Sequence, residues 1–189
     1  DLVHCHLAQA NWIGLWGAKL AGVPQRIYTR HSGKPLNLSW KERLIDKVQN
    51  RLATKIVAIS KNVDELLNGQ GVPELKRVLI HHGFDLERFS NPDRAEVERL
   101  NRHYNPDNQK PVIGIIARWL ELKGIQYTID AFCELLKQYP DGLLCLFGAS
   151  EHAGYAAEIK NKLSLLPERN YRIIPFENNV FDLYQLFDC

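Results

Sequence analysis

The sequence predicts an α/β protein made of two domains, each built on a parallel sheet. Short apolar runs alternate with amphipathic stretches along the 189 residues, and this alternation favours parallel strands joined by right-handed helical crossovers. It is interrupted once, between Asn91 and Pro111, where the chain is polar and rich in Pro and Asn. A fresh apolar run then begins at Val112, so two α/β domains in succession are expected.

The predicted strands are the short apolar runs. They are Leu2–His6, Arg26–His31, Lys55–Ile59, Arg77–His81, Val112–Ala117, Leu143–Gly148 and Tyr171–Pro175. The predicted helices are Trp12–Ala21, Trp40–Leu52, Lys61–Asn68, Gly124–Gln138, Glu151–Leu166 and Val180–Phe187. Apolar residues recur on one face of the fourth helix, at Ile125, Ile129, Phe132 and Leu136. The first helix is rich in Trp, Leu and Ala, which predicts burial on more than one side.

Start and stop signals agree with these helices. Ser39 followed by Glu42 is a capping box, in which each side chain bonds to the backbone of the other residue. Residues 22–24 and 71–73 both read Gly-Val-Pro and follow predicted helices. Gly suits the left-handed residue just past a helix and Pro prevents continuation, so both segments predict a helix end.

The polar stretch predicts the domain boundary. Residues 1–90 would form the first domain and residues 111–189 the second. Residues 91–110 would be a linker with a short helix at Arg94–His103. That helix mixes charges of both signs, which favours a solvated face over an arm that binds nucleic acid.

Composition excludes several classes of protein. Apolar residues make up 45% of the chain and charged residues 24%, which argues against disorder or a fibrous repeat. Lys and Arg number 24 against 22 Asp and Glu, so nucleic acid is not expected as a bulk electrostatic partner. No apolar run approaches the roughly 18 residues of a membrane span.

Cysteine and methionine usage suggest where the chain comes from. The 4 Cys form no CxxC pair. Cys5, Cys133 and Cys145 lie among apolar residues, which predicts buried core residues in a reducing, cytoplasmic compartment. The chain has no Met, starts in an apolar stretch and ends without a polar tail. We expect an internal fragment of a longer protein, with both domains truncated.

The strongest local feature is the segment from Ile116 to Gly124, where a predicted strand ends and a helix begins. In open α/β sheets ligands bind at the carboxyl ends of strands. Arg118 and Lys123, the latter beside the helix N-terminus, would suit a phosphate or diphosphate. A solvated loop with two ordinary surface charges is the alternative. No GxGxxG follows a strand and no GxxxxGK[ST] occurs, so neither a standard dinucleotide site nor a P-loop is predicted.

Two further positions follow strands of the first domain. His31 closes its strand and is a candidate functional side chain. The alternative is a strand-terminal His bonded to a nearby carbonyl. Gly83 suggests a tight turn or a close backbone approach, with Asp85 bonding the local backbone as the structural alternative.

A metal site is a weak alternative for the histidines. His4 and His6 share one face of a strand, and His81 and His82 could join them around zinc. No carboxylate or Cys at a recognised ligand spacing supports this, so no metal is expected.

The tryptophans are predicted to be structural. Trp12, Trp16 and Trp40 are expected in the core or in helix packing. Trp119 lies inside the cationic segment, so the sequence leaves open whether it is structural or part of the candidate ligand site.

Taken in order, these features resemble a family of enzymes. The segments concerned are Asp1-Leu-Val-His4-Cys-His6, Ala21-Gly-Val-Pro24, Tyr28-Thr-Arg-His31, Ile56-Val-Ala-Ile-Ser60, Gly71-Val-Pro73, His82-Gly-Phe-Asp85 with Phe89, Arg118 to Gly124, Ala131-Phe132 and Leu144-Cys-Leu-Phe-Gly148. Over essentially its whole length the chain is similar to GT-B glycosyltransferases of the family 4 type. The ordered set is far more specific than any single segment.

The resemblance implies two Rossmann-like domains facing across a cleft, the first for the acceptor and the second for a nucleotide-diphosphate sugar. Arg118 and Lys123 match the pair that contacts the donor diphosphate. His31 matches the catalytic His at the cleft, where it could hydrogen-bond the sugar or the reacting centre; it is not assigned as a general base. The further candidate donor or cleft contacts are Gly83, Gly148 and Phe176.

The resemblance also implies a chemistry and a setting. Such enzymes typically retain the anomeric configuration and need no metal or other cofactor. A glycan or lipid-linked acceptor in polysaccharide or glycoconjugate synthesis would fit, with the protein in the cytoplasm and peripheral association at the inner face of the plasma membrane.

Departures from the family keep other functions open. His82 stands where the family commonly has Asn, which puts a role for this side chain in doubt. The family's glycine-rich first βα turn and its downstream pair of glutamates are not in the chain, so the chain alone is expected to be inactive. The alternatives are a catalytically silent GT-B-like binding subunit, a sugar-nucleotide epimerase of the same fold and a glycogen-synthase-like elongator.

Overall fold

The computed structural model describes residues 1–33, 39–150 and 152–189. The chain divides into two compact units, Asp1–Phe84 and Asp85–Cys189. Both contain parallel sheets covered by helices, which confirms the predicted α/β class. Each unit has its own hydrophobic core.

The first unit is built on a parallel sheet. Its strands are β1 (Leu2–His6), β2 (Gln25–Arg30), β3 (Lys55–Ala58) and β4 (Arg77–Leu79). Its helices are α1 (Ala8–Leu20), α2 (Trp40–Leu52) and α3 (Lys61–Gly69). In the described residues the sheet order is β1-β2-β3-β4. The register sets Cys5 beside Tyr28 and Tyr28 beside Ile56, and this buried row belongs to one core with Leu15 and Leu67.

Local chemistry begins and ends these helices as predicted. The Ser39 hydroxyl accepts from the Glu42 N–H, and the Glu42 carboxylate accepts from the Ser39 N–H at 2.9 Å. Gly22 and Gly71 have φ angles of 71° and 76°. The residue after each glycine donates its N–H back into the last helical turn, so both Gly-Val-Pro segments end a helix.

The second unit contains the remaining elements. Its strands are β5 (Val112–Ile116), β6 (Leu143–Phe147) and β7 (Tyr171–Ile174). Its helices are α4 (Leu86–Ser90), α5 (Arg94–Tyr104), α6 (Ile125–Leu135), α7 (Ala153–Leu163) and α8 (Val180–Leu183). The strands are parallel in the order β5-β6-β7. Across both units, single 3-10 turns lie at Glu74–Lys76, Glu121–Lys123, Glu168–Asn170 and Tyr184–Leu186.

The central strand β6 separates two layers of the second core. All of its residues are buried. Leu144 and Leu146 pack with residues of α6 and α7, whereas the residues that alternate with them pack with α5 and α8. Both faces of this parallel sheet are therefore covered, and its strands end at an edge between the two helical layers.

The predicted linker is part of the second unit. The boundary between units falls after Phe84, whereas the polar sequence predicted a linker over residues 91–110. Helix α5 occupies most of that stretch, and its Leu100 and Tyr104 are buried in the core. A single apolar stripe is enough to pack an otherwise polar helix against a sheet, which is why composition misplaced the boundary.

Helix α1 is buried on one side, which corrects the prediction of burial on more than one. Its buried residues are Asn11, Leu15 and Ala18, a single stripe at helical spacing. Trp12 and Trp16 are 39% and 40% exposed, and Trp40 is 70% exposed. None of the three is therefore a core residue. The other part of the prediction, a role in helix packing, fits Trp12 and Trp16, whose ring centroids lie 6.3 Å apart on α1, whereas Trp40 is the first residue of α2.

Some predictions concern single positions. Cys5 and Cys145 are buried as predicted, Cys133 is only half-buried, and burial raises the pKa of the Cys145 thiol to about 12. Glu151, the predicted start of a helix, lies outside the described residues. In the part of the chain that the structure describes, no helix combines the length and apolar character needed to cross a bilayer.

Candidate functional site

A pocket lies at the carboxyl edge of the sheet in the second unit. It has a volume of about 210 Å³ and is bounded by the residues that follow β5, β6 and β7, together with α8. Arg118, Gly148 and Phe176, three of the predicted site residues, all line it. The topology places them together because the carboxyl ends of parallel strands share one edge. Lys123 is outside this lining, on the 3-10 turn that leads into α6.

Backbone forms the pocket wall at Gly148. This residue has a φ of 134°, and a Cβ there would lie 2.0 Å from the carbonyl oxygen of Ala117. Backbone hydrogen bonds hold the ends of the three strands side by side. The Ala117 N–H donates to the Phe147 carbonyl at 3.0 Å, and the Gly148 N–H donates to the Ile174 carbonyl at 2.8 Å. Only glycine fits this position without displacing the strand ends.

The predicted diphosphate pair has no side-chain partner among the residues that the structure describes. Arg118 is exposed, and so is Lys123. Neither side chain forms a hydrogen bond or ion pair with any residue in the described ranges. Trp119, between them, is 3% exposed and packs in the core below. The loop is therefore anchored by an apolar side chain while its cations face solvent, which suits an anionic ligand.

The turn after these cations begins helix α6. Gly124 has a left-handed φ of 70° and no side chain caps the helix. The N–H groups of the first turn are consequently directed toward the same loop that carries Lys123. A helix N-terminus with uncapped N–H groups and a nearby cation favours phosphate oxygens.

Phe176 and Glu177 form the opposite wall of the pocket. The Phe176 ring is 76% exposed. The Glu177 carboxylate accepts from the Tyr104 hydroxyl at 2.7 Å and from the Asn179 N–H at 3.1 Å. Burial tends to raise the Glu177 pKa, but these hydrogen bonds and the charge of Arg99 outweigh it and hold the pKa below its ordinary value. Glu177 is therefore an ionised acceptor at neutral pH.

His31 belongs to a row of imidazoles at the carboxyl edge of the first unit. It is hydrogen-bonded to His6 across β2 and β1, with 3.0 Å between Nε2 and Nδ1. Its other face stacks against His82 at 5.8 Å between ring centroids. The ring of His4 lies 4.4 Å from that of His6 and its Nε2 is 2.8 Å from the Thr29 hydroxyl. The partner of His31 is thus another imidazole instead of a carbonyl.

Burial and the neighbouring rings favour the neutral forms of His31 and His4. Burial, followed by the neighbouring rings of His6 and His82, lowers the pKa of His31. Burial and the rings of His6 and His31 likewise lower the pKa of His4. Among the described residues, no group of three or more His, Cys, Asp and Glu side chains is arranged to hold a metal ion.

Gly83 does not have the geometry that the sequence suggested. Its φ is not in the left-handed region, and a Cβ there would meet no described atom within 4 Å. The prediction of a tight turn or close backbone approach is wrong at this position. Nothing in the structure requires glycine there, because the chain between β4 and α4 is open to solvent on the side where a side chain would lie.

Sequence reasoning missed a buried polar network beside His31. Arg30 donates to Asp46 at 2.9 Å, and both side chains are at most 10% exposed. Arg30 also donates from Nε to the carbonyl of Ser32 at 3.2 Å, which holds the backbone next to His31. Gln70 donates to the same Asp46 oxygen at 3.3 Å. The sequence signal for this pair is weak: Arg30 is the last residue of β2 and Asp46 lies within the predicted helix α2.

Comparison with solved structures identifies the fold. Over the whole chain the fold matches that of Anabaena Alr3699/HepE, solved in complex with UDP, with a TM-score of 0.85, 21% identity and 51% of that chain covered. A glycosyltransferase from Rickettsia africae ESF-5 matches with a TM-score of 0.81, 22% identity and 50% of that chain covered. The fold is therefore that of GT-B glycosyltransferases, as the resemblance predicted.

The sequence also matches a family model over part of its length. Residues 1–88 match the model of Glycosyltransferase Family 4. The chain is 27% identical over 179 residues to the D-inositol 3-phosphate glycosyltransferase of Corynebacterium jeikeium (strain K411). The aligned stretch covers 89% of this chain and 42% of that protein. The resemblance to the family 4 type is confirmed. The chain spans less than half of that curated relative and about half of the solved structures.

Proposed function

We propose that this chain is part of a retaining glycosyltransferase that moves a sugar from a nucleotide-diphosphate sugar to an acceptor. The pocket of the second unit carries the proposal. It combines a cation at Arg118 that has no partner in the described part of the chain, a wall without a side chain at Gly148 and an exposed ring at Phe176. A diphosphate needs cations and a close backbone approach, and a nucleobase can stack on a flat ring.

The donor chemistry follows from the charges in this pocket. Cleavage of the bond between the anomeric carbon and the diphosphate leaves negative charge on the diphosphate. Arg118 and Lys123 stabilise that charge, and no metal ion is required for this role. Glu177, held ionised by Tyr104 and Asn179, accepts hydrogen bonds from donor groups of the nucleoside. UDP is the diphosphate that the complex of Anabaena Alr3699/HepE contains, so uridine is the first nucleoside to try.

In the first unit, His31 hydrogen-bonds the sugar or the reacting centre. Its bond to His6 and its contact with His82 fix the ring plane. The lowered pKa keeps the ring neutral at pH 7, so it can donate one hydrogen bond without competing with the oxocarbenium-like charge of the sugar. We assign it a positioning and hydrogen-bonding part in transfer and leave proton abstraction from the acceptor to other groups.

The acceptor is proposed to be a glycan or a lipid-linked molecule, with the protein working in the cytoplasm. Exposed Trp12, Trp16 and Trp40 on the first unit support peripheral contact with a membrane surface. Aromatic side chains of this kind favour the headgroup region, and Lys41, 5.6 Å from the centre of the Trp40 ring, adds positive charge.

Calorimetric titration of the whole chain with UDP tests the donor site. Arg118→Ala and Lys123→Ala should each weaken binding about tenfold to a hundredfold, because a charged hydrogen bond contributes about 1.5–3 kcal/mol. Lys160→Ala, which removes an exposed lysine of α7 without a side-chain partner in the described chain, is the matched control and should bind like wild type. Excess EDTA should leave the UDP affinity unchanged. Equal affinity of all three variants would remove the basis for the assignment.

A product assay on the longer parent protein separates the proposed reaction from its rivals. Incubation with UDP-glucose and candidate acceptors should yield a glycosylated acceptor whose anomeric configuration, read by proton NMR, is that of the donor. An altered nucleotide-sugar formed without acceptor would identify an epimerase. UDP binding without any product would identify a silent binding subunit.

A further inference from the structure

His6 and His31 share a hydrogen bond between ring nitrogens at the carboxyl edge of the first sheet. His6 is the last residue of β1, and His31 directly follows β2. Nδ1 of His6 and Nε2 of His31 lie 3.0 Å apart. A hydrogen bond between two such nitrogens needs one that carries a proton and one that does not. The pair therefore has an order, in which one ring donates and the other accepts.

The order of this bond decides what the second nitrogen of His31 can do. A neutral imidazole carries one proton, so one of its nitrogens donates and the other accepts. If Nε2 of His31 donates to His6, Nδ1 of His31 is a bare acceptor. If Nε2 accepts from His6, the proton of His31 lies on Nδ1, which can then donate. The tautomer of a histidine is set in this way by the bond that its other nitrogen makes.

The neighbouring rings hold the pair in place without sharing its hydrogen bond. The ring of His4 packs beside that of His6 at 4.4 Å between centroids, and its Nε2 is bonded to the Thr29 hydroxyl instead. The ring of His82 stacks on His31 with the two planes 19° apart. Within the described ranges, His6 is therefore the side chain that hydrogen-bonds the His31 ring.

The chemistry of sugar transfer favours one of the two orders. As the sugar leaves the diphosphate, negative charge grows on an oxygen that has lone pairs and no proton. An N–H directed at such an oxygen stabilises it, whereas the lone pair of a bare nitrogen repels it. The lowered pKa of His31 disfavours a second proton on its ring. Because Nε2 is engaged by His6, the single proton must lie on Nδ1 for His31 to donate.

We propose that His6 is a positioning residue that donates its Nδ1–H to Nε2 of His31 and thereby places the His31 proton on Nδ1. The inference rests on the proposed function, in which His31 hydrogen-bonds the sugar or the reacting centre, and deepens it by naming the atom that donates. His6 acts through His31 and does not itself contact the sugar. The opposite order would leave Nδ1 of His31 able only to accept.

Nitrogen-15 NMR of the whole chain tests the order of the bond in wild type. Spectra would be recorded at about pH 8, well above the ordinary histidine pKa of about 6.5. The chemical shift of each ring nitrogen reports whether it carries a proton. The His31 proton should lie on Nδ1, and a scalar coupling across the bond should join its Nε2 to the protonated Nδ1 of His6. A proton on Nε2 of His31, or no coupling, would overturn the proposal.

Variants separate this role from a merely structural one. His6→Leu removes the donor and should shift the ratio of the two His31 tautomers toward Nε2–H about fivefold or more. His6→Asn should keep the proton on Nδ1, because its side-chain nitrogen lies about where Nδ1 of His6 lay and can donate. His82→Asn is the matched control, since it removes a ring that stacks on His31 without a hydrogen bond to it. Equal ratios in the two His6 variants, or an equal shift in the control, would refute the proposal. Were His6→Leu unable to fold, the wild-type spectrum would decide.

Failure of this inference is distinguishable from failure of the proposed function. UDP titration of the same samples reports on Arg118 and Lys123, which belong to the second unit. Normal UDP binding with the His31 proton on Nε2 would overturn the role of His6 alone. A proton on Nδ1 without UDP binding would overturn the donor assignment and leave the order of the bond between His6 and His31 intact.

Discussion

Substitution of Gly148 by Ala is the sharpest perturbation that the structure offers. The new Cβ would lie 2.0 Å from the Ala117 carbonyl oxygen, so the two segments must separate by about 1 Å to reach even the shortest contact seen between such atoms. A side chain at the observed φ of 134° adds backbone strain of about 1–3 kcal/mol. Forced repacking of a tight site adds about 1–3 kcal/mol. The expected destabilisation is therefore about 2–6 kcal/mol, a large part of a typical domain stability of about 5–15 kcal/mol.

Urea denaturation followed by the fluorescence of Trp119 measures this effect in the unit concerned. Trp119 is buried in the second core. The other tryptophans would be replaced by Phe, which is tolerable because all three are partly exposed. Gly154→Ala is the matched control, since a Cβ there meets nothing within 4 Å and the residue lies in α7. It should leave stability unchanged or raise it by up to about 1 kcal/mol.

The same variant should lose UDP affinity, because Ala117 directly precedes Arg118 and its displacement moves that side chain. A loss of stability below about 1 kcal/mol, or one equal to that of the Gly154 control, would refute the steric reasoning. Retained stability with reduced UDP affinity would instead place the glycine requirement at the ligand. The two readouts therefore separate strain within the fold from contact with the donor.

Two further predictions concern the first unit. The free energy of unfolding should fall as pH drops below the ordinary histidine pKa of 6.5, because the pKa values of His4 and His31 are lowered in the folded state and the unfolded chain then binds more protons. Urea titrations across that pH should show the fall, and a variant with both His4 and His31 changed to Asn should show a smaller one. An equal dependence of stability on pH in wild type and variant would contradict the prediction. Sedimentation with vesicles containing phosphatidylserine should capture wild type and lose about tenfold or more in partitioning when Trp12 and Trp16 are changed to Ala. Leu165→Ala, 80% exposed in the other unit, should bind vesicles unchanged, and equal binding by all three proteins would exclude the tryptophan face.

Elements governed by local chemistry were predictable from sequence. The helix α2 has the predicted bounds, Trp40–Leu52, because its capping box and its apolar spacing involve residues within one or two turns. The helix ends at Gly22 and Gly71 depend on a left-handed residue, which Gly adopts regardless of its surroundings. The candidate donor residue Arg118 was likewise proposed from its position at a strand end, whereas Gly148 was named from the family resemblance.

Predictions failed where burial depended on which elements meet. Trp12 and Trp16 are as apolar as any core residue, but only the stripe of α1 that faces the sheet is buried. The polar stretch over residues 91–110 was read as a linker, although one apolar face of α5 is enough to pack against the second sheet.

The sequence by itself determined the order of strands and helices, their caps and the strand ends that carry Arg118, Gly148 and His31. Only the tertiary structure decided that Arg30 pairs with Asp46 and that Asn11 is buried in the lining of a cavity beside His31. The reason is physical. Backbone conformation and caps are set by neighbours in the chain, whereas the burial and pairing of a side chain depend on residues that only folding brings near.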